Sequence, residues 1–143
     1  MFKPLKTKDI KNKKVTSVAA IVFNDKSEIL IINLIKRGWD IPGGHVEKID
    51  KDVYETLRRE VLEEAFSKIK NIKISTVIRS YSNKEPTYMV IFKAEIDELL
   101  EFKGNKESIE RKFVKPLQFL KIYSKDNDFD LMNKIIENVI KKQ

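Results

Sequence analysis

The sequence contains no cysteine and a single histidine, His45, in 143 residues. The first absence excludes disulfides, zinc–thiolate centres, iron–sulfur clusters and cysteine nucleophiles, and the second excludes any multi-histidine metal site. Glycine and proline are scarce too, at four each, so a place where they cluster carries information. No apolar run approaches the roughly 20 residues that span a bilayer. The opening stretch, Met1 to Lys14, is polar and lysine-studded, unlike the apolar core of a secretory leader. The resulting expectation is a cytoplasmic protein with no membrane partner.

What is present suits one domain spanning residues 1–143, led by a lysine-rich arm over residues 1–14. A chain of this size buries roughly 70% of its unfolded surface, enough for a core without covalent staples. Apolar residues make up 41% of the chain and charged residues 36%, the latter well above the usual quarter or so. The balance of 29 basic and 22 acidic residues leaves a net charge of +7, which favours anionic partners. The lysines are scattered along the whole chain, however, as in an ordinary solvated exterior. No clustered basic helix or aromatic RNA-binding motif gives a strong nucleic-acid signal.

Val15 to Phe23 and Glu28 to Ile35 are apolar, β-branched runs separated by Asn24-Asp25-Lys26-Ser27, a pattern that predicts a β-hairpin. The second run is nearly continuous, as in a strand covered on both faces. Trp39 to Ile41 is a short extended piece, and Pro42-Gly43-Gly44 signals a loop. From Asp52 the period changes. Val53, Leu57, Val61 and Ala65 recur every four residues, with Leu62 and Phe66 widening the stripe, which predicts a helix over Asp52 to Lys68. Asp52 with Glu55 three residues later resembles a capping box. Ile72 to Tyr81 and Thr87 to Glu95 read as strands split by residues 82–86, and Ile96 to Lys112 as a charged connection. Phe113-Val114 reads as a last short strand ended by Pro116, and Phe129 to Lys142 as a second amphipathic helix. Hairpins interrupted by single helices predict an α+β fold with a mixed β-sheet between helices.

The chemistry concentrates between Arg37 and Phe66. Glu60, Glu63 and Glu64 lie at i, i+3 and i+4, so their carboxylates share one side of the helix beside its apolar stripe. Like charges at that spacing weaken a bare helix, and a divalent cation reverses the sign of that interaction. Carboxylate oxygens suit hard ions, magnesium in particular. A glutamate-rich helix face in so charged a chain is also compatible with plain solvation. The diglycine loop upstream adds bare backbone that can approach a ligand closely.

Arg37-Gly38-Trp39-Asp40-Ile41-Pro42-Gly43-Gly44-His45-Val46-Glu47, followed by Leu57-Arg58-Arg59-Glu60-Val61-Leu62-Glu63-Glu64, resembles the Nudix hydrolase box, G-x5-E-x7-R-E-U-x-E-E-x-G-U with U a bulky aliphatic. Gly44 matches the first glycine, and Arg59 to Glu64 match the central run without a gap. The resemblance implies an α/β/α sandwich. It also implies a metal-dependent pyrophosphohydrolase that cleaves a nucleoside diphosphate linked to another moiety, with a nucleotide or similar diphosphate as partner. The alternative is a Nudix-fold module that binds nucleotides without turnover.

At three places the residues depart from the pattern. One extra residue lies between Gly44 and Arg59, so the first box glutamate falls on Asp50 or Lys51, and Asp50 or Glu47 is expected to pair with Arg59. Phe66 and Ser67 replace the glycine and aliphatic at the end of the box, which is accommodated if the helix continues through Phe66. Ile49 stands where a loop glycine is usual.

Carried over residue by residue, the resemblance makes Glu60, Glu63 and Glu64, with the carbonyl of Gly44, ligands of Mg2+ or Mn2+, and Arg59 an orienting residue. Glu107 and Glu110, like Glu63 and Glu60, are candidates for the base that activates water, and both also fit ordinary exposed glutamates. Arg37, Gly43, His45 and Arg79 are candidate substrate contacts. His45 fits a loop residue bonded to backbone equally well, and Trp39 fits a core position better than a base-stacking one. The chain can be a monomer or a homodimer.

Overall fold

Alternate residues of the two apolar runs bury against different layers. In the computed structural model, which describes residues 2–81, 84–123 and 129–141, Val18, Ala20 and Val22 pack in one cluster with Leu57, Val61 and Ala65. Ala19, Ile21 and Phe23 pack in another with Phe119, Ile135 and Ile136. A strand covered on both faces has no polar side, which explains the near-continuous apolar sequence.

The described elements are β1 (Phe2–Leu5), β2 (Val15–Phe23), β3 (Ile29–Leu34), β4 (Gly38–Asp40), β5 (Gly43–His45), α1 (Val53–Ala65), β6 (Ser67–Ser80), β7 (Thr87–Leu99), β8 (Ser108–Val114), α2 (Pro116–Ile122) and α3 (Phe129–Lys141). The sheet runs β1-β6-β7-β2-β3-β4, with β5 on β2 and β8 on β3. The β2–β7 pair is parallel and the others are antiparallel. Helix α1 covers one face, and α2 and α3 cover the other. This is the expected sandwich around a mixed sheet.

The β2–β3 hairpin is tied by Asn24, whose Oδ1 accepts from the Lys26 and Glu28 amides at 3.0 and 2.9 Å. Its strands pair only at Phe23↔Ile29 and then splay. Strand β5 enters beside β2, with Val18 opposite Gly44 and Ala19 opposite Gly43. A Cβ on Gly43 would collide with the Val18 carbonyl and Ala19, so only glycine lets β5 lie this close.

Several expectations are corrected. Phe2 to Leu5 of the leading arm form an edge strand, with Lys3 opposite Arg79. Helix α1 ends at Ala65, and Ser67 and Lys68 already pair with Leu99 and Glu98 in β6 and β7. Ile96 to Leu99 prolong β7, and β8 begins at Ser108, so the charged connection shrinks to residues 100–107. In the extension of the β6–β7 hairpin, charged residues (Lys68 lies 3.8 Å from Glu98) alternate with Ser67 and the core residue Ile69, so few apolar residues mark it in the sequence. Pro116 opens a helix at its first turn, a position that tolerates a missing amide. Leu62 is exposed and does not widen the buried stripe. Of the residues expected to split the two strands, Ser82 and Asn83 lie outside the described residues, as does Lys142 at the end of the second helix.

The end of α1 departs most from expectation. Phe66 does not continue the helix; it caps it in the left-handed conformation, at φ 51° and ψ 44°, with its amide donating to the Leu62 carbonyl. This conformation costs a residue bearing a Cβ roughly 1–2 kcal/mol. The Phe66 ring meets Phe102 edge-on at 5.0 Å. The Arg111 guanidinium, on β8, lies 5.5 Å from the same Phe102 ring. Its Nη1 donates to the carbonyls of Ala65, Phe66 and Leu100 at 2.9, 3.1 and 3.0 Å. A cation here satisfies carbonyls that the helix leaves open and complements its dipole.

Arg111→Met is therefore expected to cost about 2–3 kcal/mol in urea denaturation, since it strips a charged donor from these carbonyls, and to speed amide exchange at Phe66. Phe66→Gly is expected to stay within about 1 kcal/mol of wild type, because relief of the left-handed strain offsets the lost ring contact.

Candidate active site

Helix α1 starts at an Asp52 cap whose Oδ1 accepts from the Glu55 amide at 2.8 Å. Its buried stripe then fixes the rotation of the helix, so that Glu60 and Glu64 turn toward β5 while Glu63 stays outside. Glu64 is only 5% exposed. Its Oε1 accepts from the Gly43 amide at 2.9 Å, and its Oε2 lies 3.8 Å from Nη2 of Arg37. Burial pushes the Glu64 carboxyl up to about 7; the Gly43 hydrogen bond opposes this, while the negative field of Glu60 adds to it. Glu60 packs on Gly44, where a Cβ would overlap its carboxylate. Burial also raises the Glu60 pKa, against the pull of Arg59.

Arg59 ties the loop to the helix. Its Nε and Nη2 grip the two oxygens of Asp50 at 3.1 and 2.9 Å, Nη1 donates to Glu60 at 2.7 Å, and Nη2 reaches the His45 carbonyl at 3.3 Å. Asp50 also accepts from the Glu47 amide and the Thr56 hydroxyl, both at 2.9 Å. The Arg59 guanidinium and these donors hold the Asp50 carboxyl well below the usual carboxylate range, and Asp50 in turn raises the pKa of Arg59. The loop with one extra residue thus supplies its acid from Asp50. Glu47 stands off at 3.8 Å, and Lys51 and Ile49 are left exposed.

The structure brings Glu60, Glu64, Gly43, Gly44, Arg59, Arg37 and His45 together, with the 59%-exposed Glu63 side chain 3.6 Å from Arg59. Among the described residues no three Asp, Glu or His side chains converge as a ready-made cation cluster, because Glu60 is turned onto Arg59 and Glu64 onto the Gly43 amide. Glu107 is close enough to raise the Glu64 pKa and lines a small groove with Arg37. Glu110 is not brought to the site: it sits within β8 opposite Asn33. Nor is Arg79, because strand alternation sends Ile78 into the neighbouring cavity and Arg79 to the other face, 4.7 Å from the Tyr81 ring. Trp39 packs against the core, with Lys112 over its ring at 4.3 Å.

That cavity, of about 240 Å3, opens beside the diglycine strand. Arg37, Asp40, Gly43 and His45 form its polar side, and Met89 and Met132 belong to its apolar wall. Sequence reasoning overlooked Asp40, a buried carboxylate 3.9 Å from Arg37. It also overlooked Asn105, whose Nδ2 donates to the Glu63 carbonyl at 2.9 Å, and Arg111. The Arg-Gly-Trp-Asp run placed Asp40 next to the loop, whereas nothing in the local pattern marks Arg111 or Asn105.

The raised Glu64 pKa has a definite sign in stability. Between pH 4.5 and about 7 the folded form keeps a proton that the unfolded chain has lost, so this contribution is complete at low pH and disappears as pH rises through 7. In chelator, wild type is expected to lose on the order of 3 kcal/mol across that window, and Glu64→Gln to lack this slope. Urea denaturation of both proteins at pH 5 and pH 8 measures the difference.

A family model described as NUDIX domain matches residues 13–135. No curated protein sequence matches the chain. Among solved structures, the Bacillus subtilis pyrophosphohydrolase BsRppH superposes with a TM-score of 0.75 at 18% identity, covering 96% of this chain and 90% of that one. A NUDIX hydrolase from Nitrosomonas europaea gives 0.69 at 18% identity, covering 92% and 90%. The NUDIX domain of Shewanella oneidensis NrtR, solved with ADP ribose, gives 0.69 at 17% identity, covering 92% and 89%. At these identities the likeness speaks for the fold, while the family model spans most of the sequence, including Gly43, Gly44 and the Arg59–Glu64 run: the chain belongs to the Nudix hydrolase family.

Proposed function

We propose that this protein is a magnesium-dependent pyrophosphohydrolase that cleaves a nucleoside diphosphate linked to another group. The observation that carries this reading is the buried Glu64 carboxylate, held on the Gly43 amide, with Glu60 one turn away over Gly44. A carboxylate buried with one close hydrogen bond is poorly compensated when charged. A divalent cation bound there supplies the missing positive charge. The donor set is all hard oxygen, which fits magnesium, with manganese a second choice.

In this reading Glu60 and Glu64 hold the cation, Glu63 adds a ligand or holds its water, and the Gly44 carbonyl completes the set. The bound metal supplies charge neutralisation for the phosphoryl oxygens and a lowered pKa for the attacking water. The other work falls to the chain. Arg59, locked by Asp50, sets the position of Glu60. Arg37 and His45, on the cavity's polar side, face the substrate phosphates. Glu107 sits near Glu64 and is the candidate for taking the proton from water, in preference to Glu110, which lies within β8 opposite Asn33. Positioning and electrostatics then supply most of the acceleration, as in other phosphoryl transfers. BsRppH is a pyrophosphohydrolase and the NrtR domain was solved with ADP ribose, which supports a nucleotide-type substrate. No helix among the described residues is long and apolar enough to cross a membrane. The competing reading, a binding module without turnover, rested on the enlarged loop. The Asp50–Arg59 grip weakens it.

A panel of nucleoside triphosphates, ADP-ribose, dinucleoside polyphosphates, nucleotide sugars and 5′-triphosphorylated RNA, assayed with magnesium and product identification, tests the proposal. Turnover on at least one member is expected, with a drop of at least about 100-fold in kcat for Glu64→Gln and a smaller loss, accompanied by an altered pH profile, for Glu107→Gln. Magnesium is expected to raise the melting temperature of wild type and not that of Glu64→Gln. No turnover on any substrate, with Glu64→Gln binding nucleotides as tightly as wild type, sinks the hydrolase reading.

A further inference from the structure

Away from the box, the far side of α3 carries a second polar construction. Two adjoining cavities of about 320 and 350 Å3 share Lys8 and Ser75. The first also has Lys6, Lys134, Thr76 and Asn138 on its walls, and the second has Lys73 and Lys93. Five lysines thus face one groove against a single lining carboxylate, Glu95, which is itself engaged by the Asn71 amide at 2.8 Å. Among the described residues none of the five has a carboxylate within ion-pair distance.

The floor is built rather than incidental. The pairing of β6 with β7 is irregular between Ile74 and Thr76, and Ser75 and Thr76 are each only 7% exposed. The Asn138 Nδ2 donates to the Ser75 carbonyl at 3.0 Å, to the Ser75 Oγ at 3.4 Å and to the Thr76 Oγ1 at 3.0 Å. Both hydroxyl oxygens are therefore acceptors, and neither hydroxyl proton has an acceptor among the described residues. Two buried O–H donors without acceptors, on the floor of a lysine-lined groove, require an anion or water to receive them.

We propose that this groove is a binding site for the phosphate chain of a polyphosphate or nucleotide, separate from the box and independent of its turnover. Lysines are compact point charges that suit phosphate oxygens, and the hydroxyls add short-range donors that a diffuse basic surface lacks. A single carboxylate would leave most of the lysines unused, whereas a chain of phosphates engages both cavities.

Calorimetric titration of the full chain with inorganic tripolyphosphate in chelator tests the site. Without divalent cation the acidic box repels the probe, so the heat reports on the groove. Saturable binding is expected, weakened about tenfold or more by K8A/K134A and about threefold by Thr76→Val, which alters no charge. The control K26A/K121A, which removes the same charge elsewhere, is expected to change affinity less than twofold. K8A/K134A is expected to leave magnesium-dependent hydrolysis intact. Titration with ATP identifies the source: tighter binding than tripolyphosphate assigns a nucleotide, and equal binding assigns the phosphate chain alone. Absence of binding to wild type, equal weakening by K26A/K121A, or full affinity in both K8A/K134A and Thr76→Val overturns the proposal.

Discussion

A methyl group on Gly43 would strike the Val18 carbonyl and Ala19, and one on Gly44 would lie within the Glu60 carboxylate. The close approach of these two residues, to β2 on one side and to α1 on the other, is the constraint from which the site follows. With β5 seated against β2, the Gly43 amide points at α1 and finds Glu64. With Gly44 bare, Glu60 fills the remaining space. Any side chain at either position would push strand from strand or strand from helix, and the buried carboxylate would lose its hydrogen bond from the Gly43 amide.

Around this contact the charges form an acidic island in a basic chain. Asp50, Glu47, Glu60 and Glu63 all lie within 4 Å of one guanidinium, that of Arg59, and among the described residues Glu64 has Arg37 at 3.8 Å. The net charge of +7 therefore resides elsewhere and draws anions toward the surface, while the island turns them away until a cation neutralises it. Attraction of substrate and dependence on metal are thus separable properties of different parts of the same molecule.

Much of this could be read from residues alone. The apolar runs of β2 and β3 and the four-residue stripe of α1 carried strong periodicity, and the box motif placed Gly43, Gly44 and the three glutamates together. What escaped did so for physical reasons. Strand β1 is four residues long and pairs with β6 at the sheet edge, too short to show a pattern of its own. Helix α2 lasts only seven residues, too few to display a period. Phe66 was misread because aromatic residues favour helices and sheets over left-handed backbone; its conformation depends on Arg111 and Phe102, distant in sequence. Glu110 and Arg79 lie away from the glutamates of α1 because strand register and alternation place them, which local composition does not reveal. The choice of Asp50 over Glu47 as partner of Arg59 depended on loop geometry that only coordinates supply.

Strand β1 ends the sheet, so among the described residues one side of it has no neighbouring strand. A free sheet edge is a template on which another chain can add itself, and repeated addition leads to fibres. Here the exposed strand is four residues long, carries Lys3, and includes Pro4. A proline in a paired strand is tolerated where its nitrogen faces away from the partner, so the open side lacks an amide donor near its middle. The sheet therefore stops growing at this edge, where a short strand carrying a lysine and a proline is a poor template for a further strand.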